Sequence, residues 1–500
     1  MMLSWRRLAW ALTFPALLAT ACSSTTDSGE DESSDEVNYR STAGQEFNLS
    51  TTVTFPVADD VRALTGDAKE KAIVAVAEQL RASVTAAISA ELDRIWPEDK
   101  RITRAGVAIQ FRQASATYSD LVSLDGGARY SVVVSGEFAA VKDIEKKLPL
   151  KTVGDKTFLP VTTDVGAGSE ELQVFLTPVE RSLNAYPRYL ALFEDGLDIS
   201  VHFGGDHNDP PQDIDHARSV YDDLIASGFK SPVAKFEDLK LDSAPLASQV
   251  QVKGALVDVR VRIVHEDMTP PDARQPLVDA YKQAVKTADV VIYDGHAGRQ
   301  LDYSGVVLAY KPARVSIPAD TFKDIEATTK QQIYLFNGCE TYTGYADKLY
   351  ENPNKNPENA DVITTANFSA IQPRATQVLA FIHSLIDGRT AASKTWIPRS
   401  WDSVLTSMNT VGERSWVHVY GVTGIDDDPR ASPLADTSKL GAECTTDADC
   451  GAADSRCVPT SSTKRVCGIA CADTSGCPTG TKCLLPANRT SVDDMQCLRR

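Results

Sequence analysis

Two short apolar runs constrain the fold more than any other feature of the chain. DVVIY (289–293) and IYLFN (333–337) show no alternation of apolar and polar residues, and each ends in a glycine-containing turn. A strand with one face in water alternates; a continuous run is buried on both faces, as in a parallel sheet covered by helices. Between the two runs, 319–330 reads as a helix. The same alternation extends over 188–430. LDISVHF is a strand. Ile214–Ser227 is a helix, with Val220, Leu224 and Ile225 on one face and Gly228 at its end. GALVDVRVRIV is a strand and 272–288 a helix. After IYLFN come a helix over 341–350, the strand DVITTA, a helix over 374–387 and a last strand, WVHVYGV. The expected fold is α/β, a doubly wound, mainly parallel sheet, and such sheets bind ligands beyond the carboxyl ends of their strands.

The segments on either side read differently. Residues 1–22 carry Arg6 and Arg7, then an apolar stretch from Leu8 to Leu18 that is too short to span a membrane, then Ala19, Thr20, Ala21 and Cys22. This is an export signal. It resembles a bacterial lipoprotein signal, which implies that Cys22 is lipidated and that the protein sits in the bacterial cell envelope. Ser23 after Cys22, rather than Asp, points to the outer membrane by the rule of enteric bacteria. Residues 23–47 begin with an acidic, Ser-rich run that cannot bury a core, and form a tether. Residues 48–185 form a small N-terminal α/β domain with a long helix over Asp67–Trp96, whose apolar residues recur every three or four positions. It reads equally as a pro-segment or a spacer. Residues 431–443 are a linker.

Cysteine usage marks the far end. Eight of the 10 cysteines are Cys444, Cys450, Cys457, Cys467, Cys471, Cys477, Cys483 and Cys497. They fall into two halves of four, each rich enough for two disulfides. An exported segment this dense in cysteine is held by crosslinks rather than by a core. Four disulfides are expected over 444–500, with no connectivity implied. The segment has no His and no CxxC pair, which argues against zinc.

With Cys22 and these eight accounted for, Cys339 is left over, and an odd thiol in an oxidising compartment calls for a reason. It directly follows IYLFN and Gly338, whereas His296 follows DVVIY, Asp294 and Gly295. In a parallel sheet both strand ends emerge at one edge, so Cys339 and His296 become neighbours. A thiolate is a nucleophile, an adjacent imidazole takes its proton, and glycine-flanked turns expose N–H groups for an oxyanion. Asp294 reads as a turn cap and Glu340 as an acid at a helix start. The alternative for Cys339 is a small apolar core residue.

An apolar strand before His-Gly and a later apolar strand before Ala-Cys form the shared pattern of the caspase-like cysteine peptidases, the group of caspases, gingipains, clostripain and legumain. Residues 195–425 resemble that group. The resemblance implies that His296 is the general acid/base, that Cys339 is the nucleophile of a thioester acyl-enzyme, and that the N–H groups of Ala297 and Cys339 form the oxyanion hole. The substrate would be a peptide or protein and no cofactor is required. Two positions depart from the pattern. The glycine after His is Ala297 here, with Gly298 following, and the alanine before Cys is Gly338.

A rival cluster lies in HFGGDHNDPPQDIDH (202–216). His202, Asp206, His207 and Asp209 are weak candidate metal ligands for a metal-dependent hydrolase, but their spacing matches no metal signature. Asp213 and Asp215 sit where a helix N-terminus favours acids. His265, His383 and His418 read as structural, and NPNKNPEN (352–359) as a polar loop, either a substrate flap or a processing site. A third reading is a catalytically inactive surface lipoprotein that binds partners through its disulfide-rich tail. The enzyme reading predicts a reactive Cys339 dependent on His296; the binding reading predicts an inert one. The formal net charge of −17 excludes a nucleic-acid partner, which needs a basic footprint.

Overall fold

The computed structural model describes residues 38–499 except 96–107, 111–116, 165–168, 180–182, 184, 207–210, 253–254, 298–304, 368, 370–374, 387–395, 413–417, 426–437, 452–454, 462, 472–473, 475–476, 479 and 488–493. The export signal, Cys22, most of the tether, His207, Asp209, Gly298 and most of the linker lie outside these residues.

An eight-stranded sheet forms the centre. Five of its strands are mutually parallel and lie in the order Ala360–Thr365, Gln332–Asn337, Val290–Asp294, Leu197–Phe203, Ala255–Val264. Numbered in chain order and read from the Ala255–Val264 side this is 2-1-3-4-5, so the winding reverses between Leu197–Phe203 and Val290–Asp294. That reversal is the switch point at which doubly wound sheets open a crevice. Antiparallel strands close both edges: Leu246–Val252 on one side, then Tyr420–Thr423 and Arg40–Ser41 on the other.

Both faces are covered, which explains the unbroken apolar runs. Val290, Ile292, Ile333 and Leu335 point into one core layer, shared with helices Gln212–Ala226, Thr376–Ile386 and Trp401–Thr410. Val291, Tyr293, Tyr334 and Phe336 point into the other, shared with helices Gln275–Thr287 and Tyr345–Tyr350. Each large side chain buried this way contributes roughly 1.5–3 kcal/mol.

Several elements differ from expectation. The 319–330 helix is a short 3-10 turn, Ala319–Asp324, and the helix after the cysteine begins only at Tyr345. Leu246–Val252 is a polar edge strand with no apolar periodicity to betray it. Residues 352–359 form a loop in which Asn352 and Lys355 are buried while Pro353, Asn354, Asn356 and Glu358 are exposed. Asn352 donates to the carbonyls of Phe322, Lys323 and Ile325, and Lys355 Nζ to that of Lys330. These bonds staple the loop at the amino ends of Gln332–Asn337 and Ala360–Thr365, away from the edge that carries His296 and Cys339.

The N-terminal unit is an antiparallel sheet with helix Gly66–Ile95 across it. The helix buries Ile73, Ala77, Leu80, Val84, Ile88 and Leu92; the three-to-four spacing holds, but Ala77 rather than Val76 faces the core and Val76 is exposed. Its central strand starts at Gly44, inside the segment expected to be tether, and the preceding Arg40–Ser41 belongs to the main sheet. The tether therefore stops short of residue 40. Backbone pairing prevails there because Tyr39, Arg40 and Ser41 are all buried.

Four disulfides hold the tail: Cys444–Cys457, Cys450–Cys467, Cys471–Cys483 and Cys477–Cys497. Each half pairs its first cysteine with its third and its second with its fourth, so the repeat in the sequence is a repeat in connectivity. A four-stranded antiparallel sheet carries them. Ile469, Cys471, Cys483 and Cys497 belong to the same core layer as the main sheet.

Candidate active site

The pairing register brings the two loops together. Asp294 pairs with Asn337, and His296 and Cys339 each lie two residues beyond. Neighbouring strands are about 4.8 Å apart, so the loops leave the sheet side by side. Asp294 also pairs with Phe203, after which the chain runs through Gly204 and Gly205 to Asp206. Three successive strand ends thus converge at the switch point.

Tight packing seats the loops. A Cβ at Gly338 would lie 2.3 Å from Ala297 Cβ and 2.9 Å from the Gly295 carbonyl oxygen. A Cβ at Gly205 would lie 2.2 Å from Tyr310 N. Glycine is required at both places. After Cys339 the chain turns through Glu340, which adopts a left-handed φ of 50°. The Glu340 N–H donates to the Asn367 carbonyl (3.0 Å). Glu340 is thus a turn residue beside Cys339, not a helix-start acid, and such strain recurs at functional loops.

Cys339 is half-buried, and its Sγ–H donates to the Ser369 carbonyl at 3.8 Å. Burial above all, with the Glu340 charge adding to it, pushes the thiol up to about 11. The resting group is a neutral thiol, and no hydrogen bond joins it to His296. His296 Nε2 instead faces Asp206 Oδ1 at 3.5 Å. Asp206 is buried, and its Oδ2 accepts the Gln212 N–H at 2.9 Å, at the start of helix Gln212–Ala226. That partly charge-compensated position suits a carboxylate. Asp206 therefore orients the histidine, a role that the sequence did not reveal: the only signal was its place after an apolar strand. The N–H groups of Ala297 and Cys339 donate to no acceptor among the described residues.

Behind the loops lies a buried polar chain. His216 Nδ1 contacts Asp294 Oδ2 at 2.9 Å. Asp294 Oδ1 accepts from Asn337 Nδ2 at 2.6 Å. Asn337 Oδ1 accepts from Ser369 Oγ at 3.1 Å and from the Tyr420 hydroxyl. Asp294 is thus a structural hub rather than a turn cap. Asp213 lies nearby; burial first, then the Asp294 and Asp206 charges, raise its carboxyl well above the usual range and favour its protonated form.

The rival metal cluster is split by the fold. His202 points into the opposite core layer, edge-on to Tyr281, with Nε2 2.9 Å from Ser200 Oγ. Burial, then the Arg262 charge, lowers it to about 3, so it is neutral. Asp206 belongs to His296. Among the described residues, the only converging sets of potential ligands are cysteine sulfurs already in disulfides. His265 stacks on Phe236, His383 contacts Asp223, and His418 contacts Gln377, all structural placements.

No family model, curated protein or solved structure matches this chain.

Proposed function

We propose that residues 188–430 form a caspase-like cysteine peptidase domain carried by a lipid-anchored protein of the bacterial cell envelope. The observation that carries this reading is the register: His296 and Cys339 stand at matching positions beyond adjacent parallel strands, at the switch point of the sheet. Two further features support it. The N–H groups of Ala297 and Cys339 are left without acceptors, as an oxyanion hole needs. The two departures from the family pattern also compensate each other, since the methyl group absent at Gly338 is present at Ala297 in the same contact.

In this mechanism Asp206 accepts from His296 Nε2–H, which leaves Nδ1 as the base. Substrate binding displaces the Cys339 thiol from the Ser369 carbonyl. Sγ attacks the scissile carbonyl carbon while its proton passes to His296. The oxyanion takes the N–H groups of Ala297 and Cys339. His296 then protonates the leaving amine, and a thioester remains. Water, deprotonated by His296, hydrolyses the thioester and frees Cys339.

The inactive-scaffold reading draws on one observation, the protonated thiol held by a backbone carbonyl. Hydrolysis of a fluorogenic peptide library decides between the two. The peptidase reading expects turnover by the wild type and loss of at least about 100-fold in Cys339→Ala and in His296→Ala. No turnover of any peptide, with Cys339 equally inert to peptidyl electrophiles in the wild type and His296→Ala, would favour the scaffold.

A further inference from the structure

A cavity of about 450 Å³ lies between the sheet and helix Gln275–Thr287. It opens near the amino end of Leu197–Phe203, beside Arg260 and Arg262 of Ala255–Val264, on the side of the sheet away from the strand ends that carry His296 and Cys339. Its volume falls within the range of small-molecule sites.

Its walls combine apolar and donor groups. Leu241, Ala280 and Ala284 line it, with the side chains of Ser200, Arg260 and Arg262. The two arginines differ. Arg260 is neutralised by a bidentate pair with Asp198. Arg262 has no carboxylate within ion-pair distance among the described residues. Its Nη1 donates to the carbonyls of Leu241 and Ser243, at 3.0 and 2.8 Å. These bonds fix the guanidinium plane, and its remaining donors meet no acceptor among the described residues. Asp242 lies exposed at the rim.

Ser200 supplies the second donor. It is buried, and its Oγ lies 2.9 Å from His202 Nε2. His202 Nδ1 is buried without a partner. An unpaired lone pair is tolerated better than an unpaired N–H, so the proton belongs on Nε2 and is donated to Ser200 Oγ. The Ser200 hydroxyl proton is then left to turn into the cavity.

We propose that this cavity binds a small organic anion, its carboxylate or phosphate held by Arg262 and Ser200 and its apolar body by Leu241, Ala280 and Ala284. A guanidinium held in one plane is suited to two-point recognition of such a group. The proposal does not depend on the peptidase reading.

Calorimetric titration of the full chain with butyrate and with inorganic phosphate, at constant ionic strength, tests it. The expected result is saturable binding of at least one probe at millimolar concentration or tighter. Affinity should fall at least 10-fold in Arg262→Met and stay unchanged in Arg218→Met, a surface control. The preferred probe identifies the head group. Should Arg262→Met fail to fold, Ser200→Ala takes its place, with an expected loss of about 3-fold or more. Absence of saturable binding by both probes, or equal loss in Arg218→Met, overturns the proposal.

Discussion

Ala297 Cβ occupies the space into which a side chain at Gly338 would project, with only 2.3 Å between Ala297 Cβ and a Cβ built at 338. The contact joins the histidine loop to the cysteine loop, so neither residue is free to change alone.

Gly338→Ala is therefore expected to destabilise the protein by about 1–3 kcal/mol through overpacking. It should also displace Cys339 and reduce any peptide hydrolysis. The double variant Ala297→Gly/Gly338→Ala should recover most of the stability, but not all, because the Gly295 carbonyl stays 2.9 Å from the new methyl group. Thermal melts of the two single variants and the double variant check this. Additive effects would show that the two positions are not coupled.

The Cys339 thiol, pushed up to about 11, should alkylate slowly at neutral pH and faster as pH rises towards that value. This corrects the simplest expectation of a thiolate poised at rest. If His296 acts as the base, a peptidyl chloromethyl ketone should instead label Cys339 quickly near pH 7, and Asp206→Asn should slow that labelling roughly 10- to 100-fold. Mass spectrometry of the labelled protein reads both rates. Equal rates for iodoacetamide and the peptidyl reagent would argue that no base assists the thiol.

The N-terminal unit is bound to the cysteine loop. Glu46, on its central strand, accepts from the Tyr342 hydroxyl at 2.9 Å and from the Tyr39 N–H at 2.7 Å, and all three residues are buried. Tyr342→Phe leaves a buried carboxylate oxygen short of a donor, at a cost of about 1–3 kcal/mol. Hydrogen exchange should then quicken in both the 44–56 strand and the 338–345 loop. Faster exchange in only one of them would mean that the units are mechanically independent. A removable pro-segment fits this anchoring poorly.

Acid should weaken the fold through two buried histidines. Burial lowers His202 to about 3 and His265 to about 4, against the usual 6.5. The unfolded chain thus binds more protons than the native one between these values and 6.5. Stability is complete above pH 6.5 and falls as pH drops, with His202 alone accounting for about 3 kcal/mol by pH 4. His202→Gln should flatten the loss between pH 6.5 and 4 in urea titrations. An unchanged slope would place the acid sensitivity elsewhere.

By itself the sequence determined the parts of this protein that depend on local pattern. DVVIY and IYLFN declared a sheet buried on both faces because no alternation survives where both sides are covered. The stripe on Gly66–Ile95 declared a core helix, and the doubling of four cysteines declared a repeated crosslinked unit. His296 and Cys339 were legible because each follows such a strand. The tertiary structure alone decided what depends on distance across the chain. The strand order put Asp206 against His296, 90 residues away in sequence. It parted His202 from Asp206, since His202 is packed within the strand against Tyr281 whereas Asp206 lies past the strand end in the loop that faces His296. It paired the cysteines, and it drew residues 39–46 out of the expected tether. It also set the Cys339 thiol against the Ser369 carbonyl and under burial, which no spacing of residues encodes, because desolvation is a property of the packed surroundings rather than of the residue.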